Sequence, residues 1–105
     1  MNAVRESRFS PGDWVVYQKT KFSRHPGPRA RSIQPTAHGD GYVYVVDKFW
    51  VVEDVESDGS VQLRTRTGKR HQLPSDDVSL RPANLWERLW YRDKFEPQAE
   101  AIAAE

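Results

Sequence analysis

The chain contains no cysteine. Disulfides, thiolate nucleophiles and cysteine-ligated zinc or iron–sulfur centres are therefore excluded. Its apolar runs are short, and none approaches the ~20 residues that cross a bilayer as a helix. The opening "MNAVRESRFSPGDW" lacks the apolar stretch of a secretory leader. Together these predict a cytoplasmic protein without membrane contact. Catalytic patterns are missing as well. His25, His38 and His71 lie far apart in the chain, with no HExxH spacing. "GSVQLRTRTGKR" puts Arg70 where a phosphate-binding loop needs Ser or Thr, with the wrong glycine spacing. No G-x-S-x-G occurs. The expectation is a protein that is not an enzyme and uses no metal and no cofactor. One more absence is local: from Trp14 to Gly39 there is no Asp or Glu.

What that acid-free window does contain is five cations, Lys19, Lys21, Arg24, Arg29 and Arg31. The net charge of +1 thus hides an uneven distribution. Glu53, Asp54, Glu56 and Asp58 form an acidic block, and Arg64, Arg66, Lys69 and Arg70 form a second basic one. Local asymmetry of this kind governs partner choice more than the net value does. At 105 residues the chain makes one domain, with a core supplied largely by four Trp, four Tyr and four Phe.

Pro11-Gly12-Asp13 reads as a turn opening a strand at Trp14–Tyr17. Residues 19–41 hold Pro26, Gly27, Pro28, Pro35, Gly39 and Gly41 and read as one long loop. "YVYVVDKFWVVEDV", 42–55, is the strongest strand signal, with a bulge or kink expected at Asp47-Lys48. "SDGS" and "TGK" are hairpin turns around "VQLRTR", where Val61 and Leu63 alternate with Gln62, Arg64 and Arg66. "RHQL", one helical turn at "PSDD" and a short strand "VSLR" follow. From Pro82 the period changes. Leu85, Trp86, Leu89 and Trp90 make one helical face, and Asn84 and Glu87 have capping-box spacing. That face is expected to bury against the sheet, with Pro97 ending the helix. The predicted organisation is a flexible N-terminus at 1–8, a domain at 9–95 and a flexible tail at 96–105. Trp14, Val16, Val45, Val51, Val55, Val61 and Leu63 are the expected core.

This order of strands and turns resembles the SH3-like small β-barrels, which include SH3, Tudor and KOW domains. The pieces that carry the likeness are "FSPGDWVVY" and "FWVVEDVESDGSVQLRTRTGKRHQLPSDDVSLR". The phrase F-x-PGD-x-VVY is also similar to the start of the polymerase-interacting, Tudor-like domain of the CarD family. The resemblance implies an all-β fold: an SH3-like barrel of about five strands with a C-terminal α-helix packed on it. The segment "HPGPRA" belongs to neither pattern.

Four binding readings stay open at this point. Lys19, Lys21, Arg24, Arg29 and Arg31 suit a phosphate-tracking patch, with Phe22 and His25 as stacking platforms and Arg64, Arg66, Lys69 and Arg70 as neighbours. That chemistry is the one that holds nucleic acid. The same cations also suit an acidic protein surface, or simple pairing with the acidic block. Tyr17, Tyr42, Tyr44 and Trp50 are candidate walls of an aromatic cage for methylated Lys or Arg, the ligand that Tudor-like barrels imply. Trp86 and Trp90 are candidates for a protein interface.

Overall fold

The computed structural model describes residues 8–105. The flexibility expected at the N-terminus therefore falls, for residues 1–7, outside the described residues. Six strands and two helices follow in order: β1 Trp14–Ser23, β2 Arg31–Pro35, β3 Tyr42–Val55, β4 Ser60–Arg64, β5 Arg70–Pro74, β6 Leu80–Pro82, α1 Leu85–Trp90 and α2 Arg92–Ala103. The strands form one open antiparallel sheet in the order β5-β4-β3-β1-β6, with β2 added beside β3. No helix among the described residues is long and apolar enough to cross a membrane.

β3 organises the sheet. Residues 42–51 pair with the whole of β1, from Trp14↔Val51 to Ser23↔Tyr42. On its other edge β3 pairs twice: with β2 at residues 42–45 and with β4 at residues 51–55. Among the described residues, no strand lies beside residues 46–50 of that edge. The sheet has a notch there.

The β1–β3 pair is apolar on both faces, and both are covered. On one face Val15, Trp50 and Val52 join Phe9, Val61, Leu63 and Leu80 in a buried cluster. On the other, Val16 and Val51 meet Phe95 of α2, flanked by Trp14, Phe49, Ala99 and Ile102. Phe95 stacks on Trp14 at 4.8 Å and meets Phe49 edge-on at 5.3 Å. Of the expected core, Val16, Val51, Val61 and Leu63 are fully buried, while Trp14, Val45 and Val55 are half-buried. Gly59 and Gly68, at φ 89° and 85°, close the two hairpin turns in a conformation that other residues resist.

Four expectations are corrected. First, residues 19–41 are not one loop: β1 runs on to Ser23, and 31–35 form an edge strand that tolerates Pro35 at its end. Second, β3 passes through Asp47 and Lys48 in unbroken register with Gln18 and Tyr17, and the irregularity lies at Val52/Asp54. Third, the Leu85/Leu89 face does not pack: Leu85 is 69% and Leu89 60% exposed, and α1 buries no residue. Its capping box between Asn84 and Glu87 is present. Fourth, residues 96–105 are not a loose tail. Pro97 lies inside α2, and the helix packs through Phe95, Gln98, Ala99 and Ile102, spaced i, i+3, i+4, i+7.

Candidate functional site

The notch over β3 46–50 is lined by side chains from four parts of the chain. Tyr17 and Lys19 come from β1, Lys48 and Trp50 from β3, and Arg66 and Lys69 from the β4–β5 turn; His71 of β5 closes the far wall. The concavity measures about 310 Å³, within the range of sites that hold small ligands. It continues along the sheet edge to Arg29 and to Lys94 of α2, which share a second hollow with Lys48 and Arg66. Among the described residues, no carboxylate lines either hollow.

Period two explains why these side chains meet. Directly opposed residues of an antiparallel pair share a face. Tyr17 opposes Lys48, Lys19 opposes Val46 and Val15 opposes Trp50. Tyr17, Lys19 and Lys21 therefore lie on one face with Lys48 and Trp50. At the base, three rings stack across the sheet: Tyr17 on Trp50 at 4.9 Å and 10°, then Trp50 on His71 at 5.1 Å and 8°. Trp50 is 8% exposed, with both of these rings stacked on it. His71 is exposed, so the stack ends in an accessible ring.

The electrostatics point one way. The Lys48 ammonium is held below the ordinary lysine range, first by desolvation and then by the charges of Lys21, Arg29 and Lys19. Among the described residues, none of Lys19, Lys21, Arg29, Lys48, Arg66 and Lys69 forms an ion pair with a carboxylate. A cluster of unpaired cations around a partly desolvated amine is destabilising by itself and is relieved by a bound anion.

The sequence-derived site residues sort into groups. Lys19, Lys21, Arg29, Arg66 and Lys69 gather around Lys48. Arg24 lies beside Gly39 and Tyr42 at the far end of the β1–β3 ribbon, away from the notch. Phe22 is 61% exposed on that ribbon and packs so close to Gly41 that a Cβ there would meet its ring at 2.8 Å. His25 is exposed, its backbone N–H donating to Ser23 Oγ. Arg31 pairs with Asp47 at 2.8 Å.

Arg64 departs from its expected exposure. It is 5% exposed and donates to Glu53, and at 2.7 Å to Glu105. Arg70 joins the same carboxylates at 3.0 and 3.2 Å. Both arginines serve the fold's own ion network. Strict alternation put Arg64 on the outer face; that face is covered because α2 brings Glu105 over it.

Sequence reading missed Lys48, His71 and Lys94 as members of the site. Lys48 stands two residues before Trp50, a period-two signal that was legible. The cage reading loses its geometry: Trp50 has no free face, and the neighbouring cations repel a cationic ligand. Trp86 and Trp90 are 68% and 73% exposed on α1. Among the described residues, no three of His, Asp and Glu are grouped to hold a metal.

Fold and site together define a small antiparallel β module with a cationic notch over an aromatic stack. Compared with protein-family models, curated proteins and solved structures, the chain matches none.

Proposed function

We propose that this protein is a non-catalytic binding module that holds nucleic acid in the notch over β3. The observation that carries the reading is the convergence of Lys19, Lys21, Arg29, Arg66 and Lys69 on Lys48 without a carboxylate among them. Cations left unpaired by their own protein suit a ligand with regularly spaced negative charges, and phosphate backbones have that spacing. The module reads as an SH3-like small barrel. Supporting this are the strand order and a short last strand that returns to pair with the first at Val15–Tyr17. A cysteine-free chain suits the reducing cytoplasm.

The test is fluorescence anisotropy with labelled oligonucleotides across a salt series. Each phosphate contact contributes about −0.7 to the log–log slope for single strands. Replacing Lys19, Arg29 and Arg66 together by Gln flattens that slope by about 2 and leaves the fold intact, since all three are exposed. Wild type that binds no oligonucleotide at low salt overturns the reading.

A protein–protein adaptor is the second reading. It is favoured by the exposure of Trp86 and Trp90, large apolar side chains that an isolated domain tends to bury. Under it, Trp86→Ala and Trp90→Ala abolish capture of one specific protein and leave oligonucleotides unbound by any variant.

A further inference from the structure

The notch has an aromatic floor as well as a cationic rim, and the floor narrows the ligand. Backbone phosphates alone need only the rim. A duplex presents phosphates and groove edges, with its bases paired and stacked inside. Its base faces do not reach the bottom of a concavity of about 310 Å³. An unpaired base does, because its π-face is free.

We infer that the site is specific for single strands: the cations around Lys48 hold the phosphates, while one unpaired base stacks on His71 and extends the Tyr17–Trp50–His71 column. The inference rests on the nucleic-acid reading above. Three observations support it. The rings are nearly parallel, at 10° and 8°, so the column offers a flat end rather than an edge. Its buried member, Trp50, is fixed in the apolar cluster, so the platform is ordered before the ligand arrives. Lys69, two residues before His71, lines the same concavity, which sets a cation beside the terminal ring. Stacking on a ring tolerates any base, because every base has a π-face.

The test compares labelled oligo(dT) and oligo(U) of about 12 nucleotides, in the range of single-strand site sizes, with a duplex of the same length and with heparin. All are measured at one low salt concentration on wild type, His71→Ala and His71→Phe. The expected result is that wild type prefers single strands to duplex. His71→Ala loses about 5- to 150-fold on single strands, the effect of one base–aromatic stack, and His71→Phe restores it. Heparin, which has no bases, loses far less in His71→Ala. Equal affinity for duplex and single strand, or a His71→Ala that binds oligo(dT) and oligo(U) as wild type does, overturns this inference and leaves the cationic notch standing. Loss on heparin equal to that on single strands also overturns it. Failure of every polyanion to bind brings down the nucleic-acid reading itself.

Discussion

Lys48 shows at the scale of one side chain how stability and function oppose each other. Its ammonium is desolvated in the company of Lys21, Arg29 and Lys19. Its folded pKa is therefore lower than its unfolded one. Between those two values the unfolded chain binds more protons, so stability rises with pH through the window, and below the window the repulsion is felt in full. Lys48→Met keeps the aliphatic stem and removes the charge. At neutral pH it is expected to raise stability by about 0.3–1 kcal/mol, the modest figure reflecting solvent screening, while weakening oligonucleotide binding. Thermal melts and anisotropy on the same sample check both halves. A Lys48→Met protein that melts lower than wild type contradicts the repulsive cluster. A bound phosphate draws the proton back, so affinity is expected to fall as pH rises through the same window. Lys48 escaped sequence reading because it follows Asp47 in a strand read as interrupted. Its relation to Lys19, Lys21 and Arg29 depends on the cross-strand register.

At the scale of elements, the two helices exchange the roles that the sequence suggests. Leu85, Trp86, Leu89 and Trp90 make the stronger apolar stripe, yet they face solvent. The packed helix uses a modest stripe of Phe95, Gln98, Ala99 and Ile102. Gln98 is 2% exposed because its Nε2 donates to the Phe49 carbonyl at 2.8 Å, on the stretch of β3 that has no strand beside it. The amide side chain thus supplies the hydrogen bond that a neighbouring strand would have made. Nothing in the local pattern announces that substitution, and Pro97 argues against a helix there. By contrast β3, both hairpin turns and the α1 cap were legible, because period two, the turn glycines of Asp58-Gly59 and Thr67-Gly68, and the Asn84–Glu87 spacing are local signals. The consequence is a pair of contrasting mutants. Phe95→Ala, fully buried between Trp14 and Phe49, is expected to cost about 3–5 kcal/mol. Leu89→Ala, 60% exposed, is expected to stay within about 0.5 kcal/mol of wild type. Denaturant titration of the two separates them, and a Leu89→Ala loss as large as that of Phe95→Ala would mean that α1 is packed after all.

Across the whole molecule, several carboxylates are spent on the fold while the notch keeps its cations unpaired. Glu53 and Glu105 hold Arg64 and Arg70, Asp47 holds Arg31, and Glu87 holds Arg81 at 2.6 and 2.7 Å. This division explains how a chain of net charge +1 presents a strongly basic surface. It also sets the response to acid. The Glu87 carboxyl is held below the usual range, chiefly by its hydrogen bonds to Arg81, and that of Glu105 chiefly by its hydrogen bond to Arg64. A carboxyl whose folded pKa lies below its unfolded value stabilises the fold above the unfolded value, about 4.3 for Glu. That contribution is lost as pH falls through the folded value. Glu87→Gln removes the charge and one of the two hydrogen bonds from Arg81, while the amide oxygen still accepts the Asn84 N–H that closes the α1 cap. The variant is expected to melt below wild type at pH 7, and the gap is expected to narrow on acidification to about pH 3, below the unfolded value of the carboxyl. Melting curves at the two pH values decide the matter. A gap that persists undiminished in acid would assign Glu87's contribution to shape and hydrogen bonding rather than to its pairing with Arg81.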